Sequence, residues 1–192
     1  MRTIVKTLIA AGAVAGFAAA ASGQMALPKN LNLAKESKLW IEGTSTVKSF
    51  SCTAAKVDVS VLAEPGAAPA ELVQSASLVV PVGQLDCRNG TMNGHMQKAL
   101  KADKHPTISW RMTSYRVEGT NVVMNGRLTI AGTENPIELR GTGTADNAGT
   151  IRFKGSTKFK MTEYGVKPPT LMLGSMKVGD PVTVGFDLVL NP

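Results

Sequence analysis

The sequence contains few of the residues on which catalysis, metal binding and redox chemistry depend. Among 192 residues there are 2 histidines and 2 cysteines, and aromatic residues make up 5%. His95 lies in a helical pattern and His105 directly precedes Pro106, so neither has the context of a catalytic triad. The chain also has no G-x-S-x-G elbow, no phosphate-binding glycine motif and no H-E-x-x-H zinc motif. We therefore expect a binding protein rather than an enzyme, with no metal or cofactor of its own.

Long hydrophobic runs are absent from the chain after its N-terminus. Near the start, Arg2 and Lys6 precede an apolar run over residues 8–17, and small residues follow up to Gly23. This order is typical of a secretory signal peptide. The run is shorter than the roughly 20 residues that span a bilayer, and no cysteine follows it to carry a lipid anchor. We therefore expect a cleaved signal peptide, export to the periplasm and no transmembrane anchor.

The expected signal peptide divides the chain into three parts. Residues 1–23 form the signal peptide, residues 24–37 a polar N-terminal leader, and residues 38–192 a single domain. A domain of this length can bury a substantial hydrophobic core. The net charge of the whole chain is +7, but the basic residues are scattered among acids rather than gathered in a patch or stripe. That distribution favours a solvated surface over a nucleic-acid partner.

The two cysteines, Cys52 and Cys87, are predicted to form a disulfide. Exported proteins meet an oxidising compartment, in which an even pair of cysteines usually pairs. A redox pair or a metal site is the alternative, but the chain has neither C-x-x-C spacing nor a histidine beside the two cysteines. Such a disulfide would stabilise the fold by roughly 3–4 kcal/mol in the chain-entropy description.

Hydrophobic and polar residues alternate along most of the domain. In residues 151–161, Ile151, Phe153, Phe159 and Met161 share one face, while an arginine and three lysines occupy the other. Alternation with a period of two predicts β-strands. Similar runs predict eight strands separated by glycine-rich turns. The predicted fold is all-β, an eight-stranded antiparallel lipocalin-like β-barrel whose interior holds side chains or one small ligand.

Two segments depart from this alternation. Thr91–Ala102 places Met92, Met96 and Leu100 at helical spacing, which predicts one short amphipathic helix that caps an end of the barrel. Glu163–Pro181 is rich in glycine and proline and predicts a long irregular loop. Loops of this length often act as lids or binding loops.

Four stretches of the domain resemble the YceI-like family of exported, lipocalin-like barrels that bind polyisoprenoids. They are Gly43-Thr44-Ser45-Thr46-Val47, the segment Met96–Ile108 with His105-Pro106, the hairpin sequence Gly126-Arg127-Leu128-Thr129-Ile130-Ala131-Gly132, and Lys160-Met161-Thr162-Glu163-Tyr164-Gly165-Val166-Lys167-Pro168-Pro169. Their order along the chain is also that of the family. The resemblance covers about residues 39–190, which is nearly the whole expected domain.

The resemblance implies a barrel around a lipophilic tunnel that holds an isoprenoid, a quinone or a fatty lipid. The apolar stripes then become the tunnel wall, in which large aromatic side chains and adaptable methionines supply apolar contact area. Polar contacts to a head group do not carry over, because the family's His-Ser pair is replaced by Thr44-Ser45. The expected ligand-binding residues are Trp40, Leu78, Val80, Met92, Met96, Leu100, Ile108, Trp110, Met112, Met124, Leu128, Phe153, Phe159, Met161, Tyr164 and Phe186.

Other interpretations of these residues remain open at the level of sequence. Each methionine can also be ordinary core. Methionine and histidine suit copper, so Met92, His95 and Met96 could form a copper site, but Met92 and Met96 also fit the buried face of the helix. A filled barrel whose basic strand face, with Lys154, Lys158 and Lys160, binds another protein is the main alternative to a lipid carrier. An enzyme acting on hydrophobic substrates would need a polar cluster inside the barrel. The oligomeric state is also open, with a homodimer among the options.

Overall fold

The computed structural model describes residues 29–64, 69, 71–171 and 175–192, so the expected signal peptide at residues 1–23 lies outside the described residues. The described chain forms twelve strands, one α-helix and two short 3-10 turns. The strands are β1 (Lys29–Leu33), β2 (Lys38–Ser45), β3 (Ser49–Ala54), β4 (Asp58–Ala63), β5 (Val73–Pro81), β6 (Leu85–Asp86), β7 (Thr107–Glu118), β8 (Asn121–Ile130), β9 (Thr133–Ala145), β10 (Ile151–Lys160), β11 (Thr170–Leu171) and β12 (Met176–Asn191). The helix α1 spans Gly90–Ala99, and the 3-10 turns span Val82–Gln84 and Met161–Tyr164.

The strands close into the predicted eight-stranded antiparallel barrel. Hydrogen-bonded neighbours follow the order β1-β4-β5-β7-β8-β9-β10-β12, and β12 pairs back onto β1. Three further strands extend this ring, because β2 pairs with β12 beyond β1, β3 pairs with β2, and β6 pairs with β3. From β4 onward the ring strands follow one another in chain order, as in an up-and-down barrel.

The expected polar leader is partly a barrel strand, which corrects the boundary set at residue 38. Lys29–Leu33 forms β1, in which Leu31 pairs with Val61 of β4 and Leu33 pairs with Leu190 of β12. Lysine and asparagine give this segment a polar composition, but its two leucines still alternate with them. Leu31 is buried at 5% exposure. Only the closed barrel supplies both neighbours of β1, so its short stripe was not recognisable from local sequence.

The meander places the connections between strands at two opposite ends. At the end that we call the helix end lie residues 46–48, residues 87–106 with α1, the turn at 131–132, and residues 161–171 and 175. At the far end lie residues 64, 69 and 71–72, the turn at 119–120, and residues 146–150. The described chain also begins and ends at the far end. There Leu31, Val61, Ala63 and Leu190 form a buried cluster that closes the barrel.

Two predicted elements have different bounds in the structure. The helix was predicted to reach Ala102 but ends at Ala99, because Lys101 adopts a left-handed φ of 55°. The predicted loop up to Pro181 is shorter, since β12 already begins at Met176. Gly179 and Pro181 lie in this strand, where the register shifts between Val178 and Val182. Irregularities of this kind accommodate glycine and proline in a sheet, which is why composition alone suggested a loop.

Candidate functional site

The barrel interior contains an apolar chamber that we call the inner chamber. Its volume is about 160 Å³. Aliphatic and aromatic side chains of most strands line it, and the polar lining residues are Ser77 and Thr157. The hydroxyl of Thr157 already donates to the carbonyl oxygen of Glu138. An apolar cavity of about 150 Å³ stays free of water and accepts a guest of about the size of benzene. The inner chamber therefore suits hydrocarbon.

A larger chamber, the mouth chamber, lies at the helix end beneath α1. Its volume is about 680 Å³, within the range of small-molecule sites. It shares lining residues with the inner chamber, namely Ile41, Ile108, Ile130, Phe159 and Val184. The mouth chamber has more polar lining residues than the inner chamber. They are Ser45, Lys48, Asn89, Thr91 and His95. The two chambers together form a cavity that is apolar inside and polar near its outer end.

Glycines make room for the aromatic rings that line the inner chamber. The indole of Trp110 lies directly over Gly126, and the Phe153 ring lies 3.0 Å from the position of a Cβ atom at Gly141. The ring of Phe186 approaches Gly155 in the same way and stacks on Phe153 with ring centroids 4.8 Å apart. A side chain on any of these glycines would push a ring into the chamber. The width of the inner chamber therefore depends on these pairs.

The Nε1–H group of Trp110 is the one buried side-chain donor without a hydrogen-bond partner among the described residues. Leaving such a group unpaired costs about 1–3 kcal/mol. The indole is 9% exposed and lines the inner chamber. The position of the indole over Gly126 therefore gives apolar contact area but leaves its Nε1–H group without a hydrogen-bond partner.

The helix α1 covers the mouth chamber and is fastened mainly at its N-terminal end. Cys87, just before the helix, forms the predicted disulfide with Cys52 of β3. The amide oxygen of Asn93 accepts from the Cys87 backbone N–H at 2.8 Å, and its amide nitrogen donates to Asp86 at 2.9 Å. The hydrogen bond from the Asn93 amide is the largest cause of the lowered pKa of Asp86, and the backbone N–H of Arg88 adds to it. No residue of α1 is fully buried, so the helix covers the cavity through half-buried side chains.

The segment after β10 forms the other side of the mouth chamber. Tyr164 and Val166 are buried at 2% exposure, and the Tyr164 ring meets Phe159 edge to face. Burial raises the pKa of the Tyr164 hydroxyl, with a further contribution from Glu163. Asp180 of β12 holds the segment by accepting from the backbone N–H of Thr162 at 2.9 Å and from its hydroxyl at 2.7 Å. The same two hydrogen bonds are the largest causes of the lowered pKa of Asp180.

Most of the residues expected to bind a ligand line one of the two chambers. The inner chamber includes Leu78, Val80, Trp110, Met124, Leu128, Phe153 and Phe186, the mouth chamber includes Met92, Met96, Leu100, Met161 and Tyr164, and Ile108 and Phe159 line both. These side chains therefore face two adjoining chambers.

Two expected ligand residues do not line either chamber. Trp40 alternates with the cavity-lining Leu39 and Ile41, and its indole lies over Gly185 on the outside of the barrel. Its size suggested a core residue, whereas the period of two places it outside. Met112 pairs with Gly126 on the same strand face as Trp110, directly before the register shift between Met112 and Ser114 in the pairing of β7 with β8. Its inward alternation is therefore kept, but neither chamber extends to it.

Several lining residues were absent from the sequence-based set. Phe50, Val178 and Val182 line the mouth chamber, and Ile130 and Ile137 line the inner chamber. The alternation of β8 and β12 already placed Ile130 and Val182 on the inward stripe. Phe50 had no such signal, because its place is fixed by Gly43, whose Cβ position would lie 2.9 Å from the Phe50 ring.

Comparisons with known structures agree with this barrel. The structure of BcnA from Burkholderia cenocepacia has a TM-score of 0.70 and 20% identity, and the match covers 82% of this chain and 99% of that one. A polyisoprenoid binding domain from Saccharophagus degradans has a TM-score of 0.63 and 15% identity over 84% of this chain and 97% of that one. The YCEI protein of Campylobacter jejuni has a TM-score of 0.59 and 20% identity over 71% and 81% of the two chains.

The sequence comparison identifies the family. No match was found among curated proteins. Within the described residues, no helix has the length and hydrophobicity needed to cross a bilayer. The family model for the YceI-like domain matches residues 5–190, which is nearly the whole chain. Together with the closed barrel and its apolar cavity, this match shows that the chain belongs to the YceI-like family.

Proposed function

We propose that this protein is a periplasmic carrier that encloses an isoprenoid or another long-chain amphiphilic lipid in its barrel. The observation that carries the proposal is the pair of adjoining chambers, an apolar inner chamber and a mouth chamber of about 680 Å³, which share the lining residues Ile108 and Phe159. Burying hydrocarbon there contributes about 25 cal/mol per Å² of apolar surface. The similar barrel from Saccharophagus degradans is a polyisoprenoid binding domain, which supports this class of ligand.

The distribution of polar residues gives the bound lipid an orientation. Its hydrocarbon chain occupies the inner chamber, and its head group lies in the mouth chamber near Lys48, Thr91 and His95. Among the described residues lining either chamber there is no carboxylate. Head groups that accept hydrogen bonds, such as quinone carbonyls or phosphates, are therefore favoured over cationic ones. The protein acts by enclosing the lipid rather than by changing it.

Filling the junction between the two chambers tests this proposal. In Ile108→Trp, the larger side chain enters both chambers, so we expect bound lipid to be lost while the barrel remains folded. Thr107→Trp is the matched control, because Thr107 is the exposed neighbour of Ile108 on β7. Native mass spectrometry of detergent-free protein, followed by solvent extraction, measures the bound species for each variant.

The same experiment separates the carrier from a barrel that only binds another protein. A bound lipid of defined mass in the original chain and in Thr107→Trp, but not in Ile108→Trp, supports the carrier. A mass without ligand that persists after incubation with polyprenyl lipids and quinones would overturn the proposal. Equal lipid content in both variants would place the lipid outside this cavity.

A further inference from the structure

The helix end and the far end of the barrel carry opposite charge. The connections at the helix end contain six basic residues, Lys48, Arg88, Lys98, Lys101, Lys104 and Lys167, and two acidic ones, Asp103 and Glu163. The described connections at the far end contain Glu64, Glu71 and Asp146 and no basic residue, while Lys29 begins β1 at this end. The charged residues are scattered along the sequence, but the meander gathers alternate connections at one end.

The basic residues of the helix end are available to a partner. All six are exposed. None of them forms an ion pair within the described residues, which include every acidic side chain of the chain. By contrast, arginines on the barrel wall are paired, for example Arg152 with Asp187 at 2.7 Å and Arg127 with Glu134 at 2.9 Å. The helix end therefore keeps a net positive charge, although Asp86 beside Arg88, together with Asp103 and Glu163, offsets part of it.

An exposed apolar side chain lies among these charges. Val47 is 64% exposed and is the one large hydrophobic residue in the exposed class among the described residues. It sits next to Lys48 in the connection between β2 and β3. Basic residues around an apolar side chain are the combination that binds the surface of an anionic bilayer, where the charges meet the lipid phosphates and the apolar group enters the interface.

We propose that the helix end is a docking surface for anionic phospholipid membranes. The mouth chamber opens at this end, so docking would bring the opening of the cavity against the bilayer. The acidic far end is repelled by the same surface, which orients the molecule with its mouth toward the membrane. An acidic protein could meet the same charges, but the exposed Val47, next to the mouth-lining Lys48, favours a bilayer.

Vesicle cosedimentation tests the docking surface. The purified full protein is mixed with vesicles of phosphatidylcholine containing about one third phosphatidylglycerol, or with pure phosphatidylcholine, at about 0.05 M and about 0.5 M salt. We expect binding to the anionic vesicles at low salt, weaker binding at high salt, and little binding to the neutral vesicles. No binding to anionic vesicles at low salt would overturn the proposal and leave an acidic protein as the partner of this end.

Two sets of variants locate the surface. Replacing Lys98, Lys104 and Lys167 with glutamine should weaken binding roughly a hundredfold, from about fivefold for each lysine near an anionic surface. The control replaces Lys29, Lys35 and Lys154, which are also exposed and unpaired but lie outside the helix-end connections. It changes the net charge equally and should bind almost as the original does. Equal losses in both sets would show attraction to net charge alone and would contradict the proposal.

Val47→Ser supplies a second, charge-neutral test. We expect about a fivefold loss of vesicle binding, because less apolar surface enters the interface. Membrane docking serves the proposed carrier function and so rests on it. Native mass spectrometry on the same samples measures the bound lipid, so a loss of docking can be distinguished from a loss of lipid binding. The Lys98, Lys104 and Lys167 variant should retain its bound lipid, because none of these residues lines the cavity. Unchanged vesicle binding in Val47→Ser would refute the apolar part of the docking surface.

Discussion

At the scale of single residues, glycines and aromatic rings determine how much of the barrel interior stays open. Trp110 over Gly126 and Phe186 over Gly155 are arranged so that a ring on one strand covers a glycine on the next. A ring in this position fills the space of the missing side chain and lies against the wall. The interior can therefore be rich in aromatic area and still contain a chamber.

Gly126→Ala should disturb this arrangement. The added methyl group would lie against the indole of Trp110 and 2.6 Å from the carbonyl oxygen of Arg111. Because both the ring and the backbone would have to move, we expect a loss of about 1–3 kcal/mol in the free energy of unfolding. Gly83→Ala is the control, since no atom lies within 4 Å of its Cβ position. Urea denaturation of both variants measures the difference, and equal stability would show that the ring is not held by the glycine.

At the scale of elements, α1 is the less firmly held boundary of the mouth, because none of its residues is fully buried, whereas Tyr164 and Val166 fix the segment after β10. The helix α1 depends on the disulfide and on Asn93 at one end, while Ala99 and Leu100 pack against the cluster of Ile130, Tyr164 and Val166 at the other. Half-buried segments with few contacts open locally at a lower free energy than central strands. We expect exchange of lipid to use motion of α1 rather than of the barrel.

Removing the disulfide should loosen the helix as well as destabilise the fold. In the double variant Cys52→Ala with Cys87→Ala, a cross-link across 35 residues is lost. Global stability should fall by roughly 3–4 kcal/mol. Under native conditions, hydrogen exchange of the α1 amides should accelerate more than that of β8 and β10. If α1 in the cross-linked protein is already as protected as those strands, the helix is not the mobile cover of the mouth.

At the scale of the whole molecule, three aspartates make the stability of the fold depend on pH. Asp86 holds the start of α1, Asp180 holds the segment after β10, and Asp187 pairs with Arg152 across β10 and β12. The pKa of each is lowered, in every case mainly by its side-chain hydrogen bond, to Asn93, Thr162 and Arg152 respectively. The folded state therefore binds protons less readily at these groups than the unfolded chain does.

This linkage predicts loss of stability in acid. A lowered pKa adds stability that is fully present above the ordinary value of 3.8 and disappears as the pH falls through the lower folded value. The contribution of these groups to the free energy of unfolding should change little from about pH 7 to about pH 5. It should decrease as the pH drops below about 4. Urea denaturation across this range measures it, with Asp180→Asn as the comparison, because its amide oxygen still accepts but does not titrate. Identical pH dependence in both proteins would exclude a contribution from Asp180.

The sequence by itself determined the class of fold and most of the cavity wall. A period of two is a local property of an extended chain, so the inward stripes of β7, β8, β10 and β12 could be inferred without knowing which strands are neighbours. The pairing of Cys52 with Cys87 followed from composition and the expected compartment, and the structure contains that disulfide. The lipid-binding role came from the family resemblance and stays a proposal.

The tertiary structure decided what depends on neighbours distant in sequence. The strand β1 exists because β4 and β12 flank it, and the ring of Phe50 has its place because Gly43 on the neighbouring strand leaves space for it. The volume of the chambers and the collection of basic residues at the helix end also arise only when the meander closes. Local sequence specifies which face of a strand is apolar, whereas barrel closure specifies what that face encloses.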